Sequence, residues 1–135
     1  MRRKSIALAL AVVIVLTAAV PTGLAIEPFA PFYSNTALIS YSLSFSGDLA
    51  VIGGLVVGLS GTTYISGTLK LQRKVGSSYT DVKSWTTSAY DDELIWDKSW
   101  YVATGYYYRI TISASVTRNG TTEQVTATSN NVYCG

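Results

Sequence analysis

From Thr36 onward oily and polar side chains alternate one by one, and the rhythm recurs to about Val132 with breaks only at turn residues. A strand sends successive side chains to opposite faces, so a period of two describes strands with one buried face and argues against helix over the same stretch. The first segment, Thr36 to Ser46, places Ala37, Ile39, Tyr41, Leu43 and Phe45 on one side and serines on the other, with Leu38 alone out of phase. After a turn at Gly47-Asp48, Leu49, Val51, Leu55, Val57 and Leu59 read as the period-two face of a second strand, and Gly53-Gly54 as a β-bulge within it. A third strand follows Gly61 and runs to about Arg73, with Ile65, Leu69 and Leu71 opposed to Tyr64, Ser66, Thr68, Lys70 and Gln72. The fourth, Tyr79 to about Thr86, holds Val82 and Trp85 at a spacing that breaks alternation and predicts a bulge or a sheet edge. Ser88 to Asp92 reads as irregular. A fifth strand, Leu94 to Val102, carries Trp96 and Trp100 in phase, both expected in the core. A sixth, Tyr106 to Thr117, gathers Tyr108, Ile110, Ile112, Ala114 and Val116 on one face. Asn119-Gly120 suits a type I′ hairpin turn, which needs positive φ at both central residues, and a seventh strand runs from Thr121 to about Val132. Seven strands with no helix-period segment among them predict an all-β, seven-stranded antiparallel sandwich over residues 36–135.

The N-terminus has a different character. Arg2, Arg3 and Lys4 precede an apolar run from Ile6 to Val20, Pro21 breaks it, and Gly23-Leu24-Ala25 offers the small residues of a cleavage site. This is the order of a secretory signal peptide, expected to form a helix over residues 1–25 and to be removed after Ala25. Fifteen apolar residues fall short of the roughly 20 a spanning helix prefers, so a retained anchor is the weaker reading. No cysteine stands near the cleavage point, which removes the lipid-anchor route of exported bacterial proteins. Residues 26–35, with Pro28 and Pro31, read as an extended lead-in. The protein is therefore expected to be secreted, touching membrane only through its leader before cleavage.

Removal of the leader leaves seven basic residues against eight acidic, a net charge of −1 in place of the +2 of the full chain. Phosphate-backbone binding needs a clustered basic surface, none is evident along the sequence, and no nucleic-acid partner is expected. Histidine is absent, which excludes the Ser-His-Asp and Cys-His dyads and triads and the commonest neutral metal ligand. One cysteine without histidine cannot build a zinc site. Gly53-Gly54 has no following helix and makes no phosphate cradle. No catalytic residues, cofactor or metal are assigned, and the chain is read as non-enzymatic.

Two clusters carry whatever chemistry remains. Asp91, Asp92 and Glu93, with Asp97 near, could converge on calcium or serve a glycosidase, although no calcium-loop spacing is present and a solvated loop explains them as well. Tyr101, Tyr106 and Tyr107 are expected to be displayed, offering ring faces to a sugar or a protein at the cell surface. Cys134 has no second cysteine to pair with in its own chain, so it reads as a tail residue or, if exposed, a site of pairing between chains. Asn119-Gly120-Thr121 fits a glycosylation sequon that the hairpin turn already explains.

Particular residues carry a resemblance. Leu69-Lys70-Leu71-Gln72-Arg73 followed by Tyr79-Thr80-Asp81-Val82 is similar to the C to C′ hairpin of fibronectin type III domains. Tyr108-Arg109-Ile110-Thr111-Ile112-Ser113-Ala114 resembles their F strand, and Glu123 to Ser129 their G strand, in the right order. The resemblance implies an immunoglobulin-like or fibronectin type III-like sandwich in which Tyr108 makes the tyrosine corner. The second strand departs from the pattern in holding no tryptophan. Leader, Leu-Gln-Arg hairpin, Gly-x-x-Tyr-Arg strand and terminal Ser-Asn together resemble a family of short, signal-peptide-bearing proteins of Gram-positive, clostridia-like bacteria classed as a domain of unknown function. That likeness implies export and no mechanism.

Overall fold

The computed structural model describes the backbone of Ala25–Ile26 and residues 33–135; the expected leader helix and most of the lead-in lie outside the described residues. Nine strands follow one another among the described residues: β1 (Ala25–Ile26), β2 (Thr36–Ser46), β3 (Leu49–Gly58), β4 (Thr62–Val75), β5 (Ser78–Ala89), β6 (Glu93–Tyr101), β7 (Tyr106–Arg118), β8 (Thr121–Thr128) and β9 (Val132–Cys134). They form two antiparallel sheets, one ordered β1-β2-β3-β6 and the other β5-β4-β7-β8, with β9 also on β7. Numbered from β2 to β8 as seven, the first, second and fifth strands share one sheet and the fourth, third, sixth and seventh the other. That is the arrangement of a fibronectin type III-like sandwich, as expected.

The core lies between the sheets. Ile39, Tyr41 and Leu43 of β2 face Ile65, Leu69 and Leu71 of β4 and Tyr108, Ile110 and Ile112 of β7, all buried. At its centre Trp96, 1% exposed, reaches from β6 toward the opposite sheet. Two glycines make the slot. A methyl group on Gly54 would stand 3.0 Å from the indole and 2.8 Å from Leu69 Cδ1, and one on Gly67 would meet the far indole edge at 3.0 Å. The indole N–H donates to the carbonyl of Trp85 at 3.1 Å, satisfying its one polar atom. Tyr108 closes the corner before β7, its hydroxyl donating to the carbonyl of Ala103 five residues upstream. This is the tyrosine corner the resemblance implied.

Several sequence expectations need correction. Gly53-Gly54 is no bulge, since pairing runs unbroken through it to both β2 and β6; the glycines serve close packing instead. The inward residues of β3 are Ala50, Ile52, Gly54 and Val56, while Leu49, Val51 and Leu55 lie on the outer face. Both phases of β3 are apolar, so alternation could not choose between them. Trp100 keeps its inward phase but is 40% exposed, because it stands at the open flank between edge strands β6 and β5, edge-on to Trp85 and beneath the Lys83 ammonium. The seventh strand breaks after Thr128: Ser129 turns inward, and its hydroxyl accepts from Ile110 N–H at 2.9 Å before β9 resumes.

The expected irregularity in the fourth strand is present in both forms. Pairing shifts between Leu71 and Gln72 so that Val82 is the unpaired residue, and β5 is the edge of its sheet. Cys134 is buried in β9, its thiol directed at the carbonyl of Gly47, so it is a core residue rather than a tail. Burial and the charge of Asp48 push its pKa up. The last residues of the lead-in belong to the domain: Ser34 and Asn35 donate their N–H groups to the Glu123 carboxylate at 2.7 and 2.8 Å. The Asn35 amide donates to the carbonyls of Val116 and Thr121.

Candidate functional site

The outer face of the β5-β4-β7-β8 sheet is lined by the alternate residues that do not enter the core. Over most of its length these are hydroxyls and amides, cross-linked by Thr68 to Thr86, Thr117 to Thr122 and Ser115 to Gln124 contacts of 2.8 to 2.9 Å. A shallow hollow of about 210 Å³ opens among Ser66, Thr68, Thr86, Ser113 and Gln124. Toward the turn between β4 and β5 the composition changes to rings and cations.

There Arg109 of β7 sits opposite Gln72 of β4, and Gln72 opposite Asp81 of β5. The Arg109 Nε–H donates to Gln72 Oε1 at 2.8 Å, and the Gln72 amide donates to Asp81 Oδ1 at 2.8 Å. Lys70 completes the chain with a 3.3 Å ion pair to Asp81. Gln72 first, then Lys70, hold the Asp81 carboxyl below its ordinary pKa. The guanidinium carbon of Arg109 lies 3.4 Å from the centroid of the Tyr79 ring, and the Tyr79 hydroxyl donates to Asn131 Oδ1 at 2.9 Å. Beside this, Tyr107 of β7 and Tyr133 of β9 are paired across strands with ring centroids 5.0 Å apart, both about half exposed. Lys74 pairs with Tyr79 across β4 and β5.

Such a surface is preorganised. Stacking fixes the guanidinium plane and Gln72 fixes its rotation, while among the described residues the Nη edge of the fork has no protein partner. Those donors and the neighbouring phenol rings offer hydrogen bonds and stacking at little further cost in side-chain entropy.

The three tyrosines singled out from the sequence do not lie on one sheet face. Tyr101 ends β6 on the outer face of the other sheet, opposite Leu49. Tyr106 lies in the phase of Tyr108, under the Arg73 guanidinium at 4.6 Å. Tyr107 alone joins the ring-and-guanidinium face. Tyr79, Tyr133 and Arg109 were missed because they stand far apart in sequence; the signal that could have found them is that each falls in the outward phase near a strand end on neighbouring strands. The acidic residues Asp91, Asp92 and Glu93 lie at the opposite end of the sandwich, where Asp92 N–H donates to Asp91 Oδ1 and the Asp92 carbonyl accepts from Gly58. Among the described residues no three His, Cys, Asp or Glu side chains are grouped to hold a metal ion. No family model, no curated protein and no solved structure matches this chain.

Proposed function

We propose that this protein is an exported, non-enzymatic binding module that works at or outside the cell surface through the outer face of the β5-β4-β7-β8 sheet. The observation that carries the reading is the Arg109 guanidinium, stacked on Tyr79 and tethered by Gln72, beside the half-exposed Tyr107–Tyr133 pair. The leader-like N-terminus supports export, and Ile26 is the first residue expected after processing.

Carbohydrate is the more specific reading. Ring faces next to fixed hydrogen-bond donors, and a neighbouring field of hydroxyls and amides, match the alternating apolar and hydroxyl faces of a sugar ring. The acidic end is remote from this face, so the binding is expected to be independent of calcium. A glycan array probed with the protein, with and without calcium, tests both points. Arg109→Ala and Tyr133→Ala are expected to lower binding about tenfold or more while leaving the strand-type far-ultraviolet spectrum intact. Absence of any glycan binding would remove the carbohydrate reading, and binding untouched by both substitutions would remove this face.

A further inference from the structure

We propose that the end of the sandwich bearing the turns after β2, β4 and β6 docks on a bilayer surface rich in anionic phospholipid. This end adjoins the Tyr79–Arg109 face at the turn after β4, where Lys74 pairs with Tyr79. Val75, Trp100, Tyr101 and Tyr106 stand at it, 49%, 40%, 70% and 40% exposed, Val75 and Tyr106 on the adjacent strands β4 and β7 of one sheet and Trp100 and Tyr101 on β6 of the other. Hydrogen bonds tie part of this end together. Val102 N–H donates to the carbonyl of Asp48, Gly105 N–H to that of Cys134, and the Cys134 thiol to Gly47, so the turn after β2, the loop after β6 and β9 are tied together.

Charge follows the rings. Arg73 covers Tyr106, Lys83 covers Trp100, and Lys74 and Lys98 stand one and two residues from Val75 and Trp100. Asp48 lies in these turns, and Asp81 on β5 and Asp97 on β6 offset part of this charge, Asp81 being paired with Lys70. The far end holds Asp91, Asp92, Glu93 and Glu123 against Arg118 alone among the described residues, so the domain is polarised along its length although its net charge is near zero. An anionic sheet of phosphates orients such a molecule with its cationic end inward. Phenol and indole rings backed by Lys and Arg are the side chains that settle at the headgroup level, with the ring among the acyl ends and the cation at phosphate.

All three tryptophans, Trp85, Trp96 and Trp100, belong to the sandwich, so their emission reports the domain and is blind to the leader. The full chain is bound to vesicles containing anionic phospholipid, with bromine placed high on the acyl chains. The expected result is quenching that disappears in Trp100→Phe, since Trp96 is buried and Trp85 half-buried. Lys98→Ser should lower the docked-to-undocked ratio about fivefold. Raising salt to about 0.5 M on the unaltered protein should weaken quenching in the same way, a control independent of any folding defect. Emission unchanged by bromine while the protein sediments with the vesicles would overturn the proposal, as would equal quenching in purely zwitterionic vesicles. Glycan binding on an array, with no quenching, would leave the Tyr79–Arg109 face standing and this end refuted.

Discussion

Trp96 shows how few atoms decide the packing. Its indole needs both sheets to come close, and Gly54 and Gly67 provide that by having nothing where a methyl would be. At Gly67 an added methyl would meet the carbonyl oxygen of Ser113 at 2.9 Å as well as the indole at 3.0 Å, and backbone cannot step aside as a side chain can. Gly67→Ala is therefore expected to cost about 1 to 3 kcal/mol, seen as a lower urea midpoint with an unchanged slope. Cys134 and Tyr108 make a pH prediction at the same scale. Burial raises the Cys134 thiol above 9.0 and the Tyr108 phenol above 10.0, the latter opposed by the Arg73 charge. Both stay neutral in the fold at pH values where the unfolded chain ionises. Stability is thus fully present below about pH 9 and falls as pH climbs past the ordinary values toward the raised ones. A flat urea midpoint between pH 8 and 11 would contradict this, and so would rapid alkylation of Cys134 in the native protein.

The elements were largely legible because alternation and turn residues agreed with each other. Thr36–Ser46 has the bounds the serine row implied, and Tyr106–Arg118 buries the five residues its pattern grouped. The edge strand declared itself at Val82, where an unpaired residue and a polar outer row also discourage pairing with another chain. The phase of β3 was not legible, since both its faces are apolar and only pairing to β2 and β6 selects the inward one. The break before β9 was equally hidden, because a single buried Ser129 makes it. Contacts between distant segments also escape a local reading. Asn35 bridges the start of β2 to the carbonyls of Val116 and Thr121, and it is 5% exposed. Asn35→Ala leaves those carbonyls facing a dry space, and a loss of about 1 to 3 kcal/mol in chemical denaturation is expected.

For the molecule as a whole, the two candidate surfaces arise from the same cause. Residues scattered along the sequence are brought side by side because neighbouring strands align their outward phases, which is why Tyr79, Arg109 and Tyr133 gave no local signal. Cations are likewise dispersed in the sequence, yet all but Arg118 of the seven after the leader lie on β4 to β7 and toward one end. The acidic cluster Asp91 to Glu93 was conspicuous in the sequence, and it marks the opposite pole, apart from the ring-bearing face. All of this depends on two sheets closing over one core, with β3, β4 and β7 interior and β5 at an edge. Residue-resolved amide hydrogen exchange tests that arrangement most directly. Ile52, Leu69 and Ile112 should exchange slowest and together, at the rate of global unfolding, with the edge-facing amides of β5 markedly faster. Protection spread evenly over β5 and the interior strands, or fast exchange at those three sites in a folded protein, would contradict it.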